Sequence, residues 1–196
     1  GLIVYPSETY VEQPDLFNFK IMTLKQIDPT KIDGNFIKMI GEQWMLVTSG
    51  SPESFNMMTA SWGFAGYMWG LPSTAIFVRP TRYTKEFIDH THSYTLSFFP
   101  DKYKKILTEL GTHSGHDMDK MKESGLTPLQ LPTGDMTFNE ATLTVVCRVM
   151  YASPLKAAGF IDGGLMPKWY PKGADDLHTM YVGQILSAYV HKSGLF

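Results

Sequence analysis

The sequence predicts a mainly β fold with a few short helices, arranged as an antiparallel sandwich or barrel, and three runs of residues carry that expectation. Trp44–Ser49 is a short apolar run rich in strand formers, closed by the turn signal Gly50-Ser51-Pro52. Asn56-Met57-Met58-Thr59-Ala60-Ser61-Trp62-Gly63 follows, and then Thr74-Ala75-Ile76-Phe77-Val78-Arg79, which Pro80 ends. Strand-like runs parted by Gly, Pro and Ser at a spacing of about 10 residues are the mark of antiparallel all-β architecture. The middle run is unlike a strand that only has to pack. Thr59, Ala60, Ser61 and Gly63 are small where branched or aromatic residues would serve better, and Trp62 stands among them. Small side chains let something flat approach the backbone, so this stretch reads as a strand that cradles a planar ligand.

The remaining elements follow in order. Residues to about 30 mix Pro6, Pro14 and aromatics without a period and read as an arm with one strand at Phe19–Leu24. Asp33–Gly41 reads as a short helix, with Phe36, Ile37 and Ile40 on one side and Gly41 near its end. After Pro80, Thr81-Arg82-Tyr83-Thr84 leads into a helix at Lys85–His90 that buries Phe87 and Ile88. Hydroxyls and an arginine at a helix start suit a phosphate, because the first turn leaves backbone N–H groups unpaired and carries partial positive charge. Taken alone, the plainer reading is that Thr84 or Thr81 caps the helix and Arg82 is a solvated surface charge. Tyr94–Pro100 is a strand, and Lys102–Leu110 is a helix with Tyr103, Ile106, Leu107 and Leu110 at helical spacing, closed by Gly111. The polar loop from Thr112 enters a second short helix near Lys120. Ala141–Tyr151 gives the longest strand signal, Leu155–Gly173 an irregular insert around Trp169 and Tyr170, and His178–Val190 the last strand.

The chain of 196 residues, 43% hydrophobic, is long enough for one domain with a sizeable core and shows no repeats or linkers, so residues 1–196 are expected to form one domain. A net charge of −2 with mixed signs provides no basic stripe for nucleic acid. No apolar run is as long as a membrane span, and Gly1–Pro6 lacks the charged-then-apolar pattern of a secretory signal. A first residue other than Met leaves room for a removed leader. The single cysteine, Cys147, lies in an apolar run and fits a buried strand position in a reducing, cytoplasmic compartment.

Several chemistries are disfavoured by spacing. His90-Thr91-His92 and His113-x-x-His116 match neither a structural zinc site nor the helical H-E-x-x-H, and read as solvated loop histidines. Ala60-Ser61-Trp62-Gly63 is not a nucleophile elbow. Neither G-x-G-x-x-G after a strand nor a P-loop occurs, so a nicotinamide that binds must do so without a Rossmann domain.

Taken together, Trp44-x-Leu46-Val47-Thr48, Asn56-x-Met58-Thr59-Ala60-Ser61-Trp62-Gly63, Arg79-Pro80-x-Arg82-Tyr83-Thr84, Leu96-Ser97-Phe98, Gly111-x-x-Ser114-Gly115-x-Asp117-x-Asp119-Lys120 and His178-x-x-Tyr181-Val182-Gly183-Gln184-Ile185 resemble the flavin reductase-like, FMN-binding split-barrel family, close to its flavoredoxin branch. The match runs in order from about residue 35 to 190. The resemblance implies a Greek-key split β-barrel that forms a homodimer, with FMN near the subunit interface. It implies that Asn56 and the backbone of Met58, Thr59, Ala60, Ser61 and Trp62 lie against the flavin ring, and that Arg82, Thr84 and Lys120 serve the phosphate or the polar ring edge. It also puts His178 and Tyr181 of the last strand close to a flavin, that of the other subunit included. No catalytic side chain and no metal is expected, since the flavin carries the redox chemistry. The chain departs from some members in having no histidine within Leu155–Gly173.

Three functions follow from the resemblance. The first is an FMN-dependent oxidoreductase reduced by NADH or NADPH. The second is a flavoredoxin-type electron carrier that serves redox-protein partners, and the third is an FMN-binding domain without a redox partner of its own.

Overall fold

The computed structural model describes residues 22–116 and 119–193. β1 (Met22–Ile27) is followed by a 3-10 turn that Asp28 caps, and then by α1 (Phe36–Lys38), which runs into a π-helical turn at Met39–Gln43. Asn35 starts that segment, its side chain accepting from the N–H groups of Ile37 and Lys38. β2 (Met45–Ser51) and β3 (Ser54–Ala60) form a hairpin whose turn needs glycine at position 50. Its φ is +124°, and a Cβ there would lie 2.5 Å from Phe55 Cα. A second hairpin joins β4 (Gly63–Met68) to β5 (Leu71–Val78) through Trp69 and Gly70, both at positive φ, the backbone of a type I′ turn that matches strand twist.

Next come α2 (Thr84–Thr91), β6 (Ser93–Phe98), α3 (Lys104–Thr112) and α4 (Lys120–Ser124). The chain then makes a small hairpin of β7 (Pro128–Gln130) and β8 (Met136–Phe138), the long β9 (Leu143–Pro154), the short α5 (Leu165–Trp169), and finally β10 (Thr179–Ser193).

The sheet order is β3-β2-β6-β9-β10-β5-β4, with β1 also on β10. All pairings are antiparallel. β3 and β4 are the two ends of this path, yet only Ser61 and Trp62 separate them in the chain. So short a link between opposite edges requires the sheet to roll up on itself, and the edges meet without pairing. The result is the split barrel. β10 divides its length between partners: Thr179–Gln184 pair with β5, and Ala188–Ser193 with β1.

Alternation along the strands sorts the core. Val47, Met58, Ile76, Val78, Tyr94, Leu96, Cys147 and Tyr181 pack in one buried cluster. Leu46 and Met57 turn the other way, beneath Leu107 and Leu110 of α3 and Phe138 of β8. One polar knot sits among the apolar groups. The Tyr94 hydroxyl lies 2.7 Å from Thr74 Oγ1, which lies 3.2 Å from Cys147 Sγ. Burial pushes the Cys147 thiol up to about 12. Gly183 makes room for the knot, since a Cβ there would collide with the Tyr94 hydroxyl.

Several expectations need correction. Asn56–Gly63 is not one strand. It breaks at Ser61 and Trp62 and changes sheet edge, and glycine at 63 lets β4 close on β5 there, since a Cβ would lie 2.8 Å from Ala75 O. Gly111 does not end its helix, which continues to Thr112. The first strand is Met22–Ile27, and the residues expected before it, Phe19–Ile21, lie outside the described residues. β4 and the β7–β8 hairpin were not foreseen, and the Leu155–Gly173 insert contains α5 and a 3-10 turn at Ala157–Gly159.

Candidate functional site: a cavity at the joint between the sheet edges

The break between β3 and β4 opens a cavity of about 340 Å³. One wall is the end of β3 and its continuation, Met58, Thr59, Ala60, Ser61 and Trp62. The end of β5 adds Phe77 and Arg79, the turn before α2 adds Arg82, and the last turn of α3 adds Gly111. Trp169 of α5 and His178, at the start of β10, complete it. Thr59 holds the β3 wall against α3, its hydroxyl donating to Leu107 O at 2.5 Å. Gly111 makes that contact close, since a Cβ there would lie 3.2 Å from Thr59 Cβ and would push the two elements slightly apart.

The insert is fixed over this cavity by one arginine. Arg79 pairs with the Asp176 carboxylate, donates to Trp169 O at 2.9 Å, and lies 5.0 Å from the Tyr170 ring centroid. Trp62 therefore meets Trp169 edge to face, centroids 5.2 Å apart, and stacks obliquely on His178 at 4.9 Å. The Tyr170 hydroxyl and His178 Nδ1 are 2.7 Å apart. Burial, and then the Arg79 charge, push His178 down to about 4, so its ring is neutral near neutral pH.

A second recess of about 330 Å³ lies further along β3, between it and α4, and takes Asn56, Tyr83, Gly115 and Lys120 into its lining. Thr84 does not cap α2. The cap residue is Tyr83 and contributes no side-chain bond, whereas the Thr84 hydroxyl is fully buried and accepts from Asn56 Nδ2 at 2.8 Å. Gly115 passes directly over Asn56, and a Cβ there would strike its Oδ1 and lie 2.9 Å from Tyr83 Cδ1. In the first turn of α2, the amides of Lys85 and Glu86 already donate to Arg82 O and Tyr83 O.

Two cations stand beside this wall with only carbonyl partners. Lys120 Nζ, buried, donates to Met57 O at 2.9 Å and Leu110 O at 3.1 Å, while Arg82 donates to Gly111 O at 2.9 Å. Among the described residues no carboxylate lies within ion-pairing distance of either. Burial and then the Arg82 charge lower Lys120 to about 8, and Arg82 is lowered by burial and by Arg79. A buried lysine and a half-buried arginine that repel one another and lack a counter-ion are arranged to receive an anion.

The expected residues thus divide into groups. Met58, Thr59, Ala60, Ser61, Trp62, Arg82 and His178 share the first cavity. Asn56 and Lys120 line the second, and Thr84 stands behind Asn56. Tyr181 is in the barrel core, its hydroxyl donating to Asp89 Oδ1 at 2.6 Å, and lines neither cavity. Asp117, part of the expected motif, lies outside the described residues. Arg79, Phe77 and Trp169 were not expected in the site. The signal for Arg79 is its place beside Arg82, the two cations flanking Pro80 at the end of one strand. His90, His92, His113 and His116 are exposed, and no cluster among the described residues could hold a metal.

The family described as flavin reductase like domain matches residues 38–196. No curated protein matches the chain. Similar solved structures include an FMN-binding domain of a flavin reductases-like enzyme from Shewanella baltica (13% identity, 86% of this chain and 77% of that one, TM-score 0.62). Flavoredoxin of Desulfovibrio vulgaris is another (21% identity, 75% and 68%, TM-score 0.58). A third is the NADH:FAD oxidoreductase SgcE6 of Streptomyces globisporus (14% identity, 77% and 78%, TM-score 0.56). At these identities the likeness is one of fold.

Proposed function

Because the chain belongs to the flavin reductase-like family, we propose that it binds FMN along β3 and works as an NAD(P)H-dependent flavin reductase or oxidoreductase. The observation that carries this reading is the pairing of a wall whose middle, Thr59–Ser61, is small with two cations, Lys120 buried and Arg82 half-buried, that lack a counter-ion. The residues present fit the cofactor. Glycine at 111 and 115 keeps the wall open where a Cβ would press on Thr59 or Asn56, and Arg82, in the first cavity, is near enough to Lys120, in the second, for its charge to act on that lysine, so one phosphate between them would answer both. In this reading the backbone from Met58 to Trp62 orients the ring, and Arg82 and Lys120 hold the phosphate. Asn56, whose Nδ2 donates to Thr84 Oγ1 and to Met57 O, presents its Oδ1 as an acceptor at the polar edge. FMN, when bound, supplies the redox chemistry that none of these side chains can. Neutral His178 and Trp62 form the wall on the β10 side and exclude water there.

The flavoredoxin-type carrier is the second reading, supported by the likeness to Desulfovibrio flavoredoxin. The name of the Streptomyces protein, an NADH:FAD oxidoreductase, supports the first. Anaerobic mixing of the flavin-loaded protein with NADH or NADPH separates them: rapid bleaching is expected for the reductase, and unbleached flavin would leave the carrier. Flavin extracted from the protein should be FMN, and a dominant FAD would remove the one-phosphate argument.

The working unit in this reading is a homodimer. β4 is an edge strand that exposes Phe64, Tyr67 and Met68, and Trp69 and Tyr151 continue the apolar patch, their rings 6.3 Å apart. A second copy would cover that patch. Sedimentation at falling concentration should show flavin released as monomer forms, and a monomer with full flavin would sink the shared site. We place the protein in the cytoplasm, where Cys147, buried and free, stays reduced.

A further inference from the structure

A recess of about 410 Å³ adjoins the first cavity on the side of the insert. The two share Ser61, Trp62, Phe77 and Trp169 as lining residues, but the rest of their walls differ in kind. The first cavity has Arg79, Arg82 and His178, whereas none of the residues that line the recess carries a charge. Phe64, Phe160 and Leu165 line the recess and not the first cavity.

Aromatic pairs build these walls. Phe64 meets Phe77 edge to face at 5.8 Å, Trp62 meets Trp169 at 5.2 Å, and Phe160 meets Tyr170 at 5.9 Å. Rings already set at steep angles to one another offer both faces and edges to a further ring. The walls are also preformed, since Arg79 fixes α5 through Trp169 O and the following turn through Asp176. A pocket held in shape without its ligand loses little ordering entropy on binding. An ion entering here would lose hydration without gaining a charged partner, so the lining selects against charge.

From this contrast we propose that the recess binds an uncharged aromatic ring compound beside, and simultaneously with, the ligand of the cation-rimmed cavity. The proposal rests on the reading that the flavin occupies that first cavity. The shared Trp62 and Trp169 then form a common wall between the two ligands, which makes the recess a site for a small neutral aromatic ligand rather than for a second phosphate-bearing one.

The test uses the flavin-loaded full chain and two probes with the same ring system, naphthol, uncharged near neutral pH, and naphthalene sulfonate, an anion, titrated by calorimetry. Naphthol should bind saturably, one per chain, with flavin absorbance showing the cofactor retained, and the sulfonate should bind at least about tenfold more weakly. Leu165 is partly exposed on α5, so Leu165→Arg can be folded normally while placing a charge in the lining. It should weaken naphthol at least about tenfold with flavin content unchanged. Displacement of flavin by naphthol, equal affinity for both probes, an unaltered Leu165→Arg titration, or no saturable binding because a second copy fills the recess would each overturn the proposal. Failure of the chain to retain any flavin would instead refute the reading of the first cavity, and the naphthol and Leu165→Arg titrations would still decide the recess.

Discussion

Raising the pH should loosen FMN binding, and the size of the effect follows from one lysine. Lys120 is buried and lowered to about 8 by burial and by the neighbouring Arg82 charge. In the flavin-free protein it is therefore about nine-tenths charged near pH 7 and about one-tenth charged near pH 9. A phosphate beside it raises the pKa in the complex, so the bound form keeps its proton at both values. The phosphate, with a second ionisation near about 6, is a dianion throughout and adds no slope of its own. Binding near pH 9 must then take up a proton, and Kd should rise about tenfold from near pH 7, or about 1.4 kcal/mol. Quenching of flavin fluorescence at the two pH values gives the ratio directly. Riboflavin, without the phosphate, should show no such dependence, and neither should FMN with Lys120→Gln. A Kd for FMN that stays flat from about pH 7 to about pH 9 would refute the reasoning and leave Lys120 as a brace between β3 and α3, which its bonds to Met57 O and Leu110 O also make it.

Three further outcomes are expected. Thr84→Ala removes the acceptor that orients Asn56, and should weaken FMN by about 1–3 kcal/mol in the same titration; unchanged affinity would make the pair structural only. His191 is buried, with Nε2 2.8 Å from Thr144 Oγ1, and burial lowers it to about 4 from 6.5. The folded state thus binds fewer protons than the unfolded one between those values, so its stability is full above about 6.5 and is lost as pH falls towards about 4. His191→Gln should reduce the loss in urea-unfolding free energy between about pH 7 and about pH 5 by ~2 kcal/mol, and an unaltered loss would place the acid sensitivity elsewhere. Arg79→Met frees the Trp169 carbonyl and the Asp176 carboxylate; limited proteolysis should then cut within residues 155–173 sooner than in the parent, and equal rates would show that the aromatic contacts alone hold the insert.

The strands that alternate, or that are continuously apolar because both faces are buried, were legible in the sequence. Val47, Ile76, Leu96 and Val145 mark four of them and all are buried. β4 was not legible, because Phe64, Tyr67 and Met68 point to solvent and two of its six residues are glycine, which removes the pattern a half-buried strand leaves. Neither was the break at Ser61 and Trp62, which depends on which strand each neighbour pairs with. The placement of Met58–Trp62 as one wall was legible from residue size. The nature of Thr84 was not, since an N1 threonine and a capping threonine look alike until Asn56, 28 residues earlier in the chain, is brought beside it. Trp169 reaches the cavity only because Arg79, 90 residues away in sequence, grips its carbonyl, and no local pattern encodes a contact of that range.

The joint between β3 and β4 sets a length as well as a place. Two residues, Ser61 and Trp62, span from Ala60 to Gly63, and three Cα steps of about 3.8 Å can reach no more than about 11 Å. Hydrogen-bonded strands sit about 4.8 Å apart, so at this point the gap has a ceiling of little more than two strand spacings. That ceiling is imposed by covalent bonds, not by contacts, and it holds whatever the pH, salt or ligand. The girth of the barrel at its slit is therefore counted in residues: one residue added here would raise the ceiling by about 3.8 Å, and one removed would lower it by the same amount.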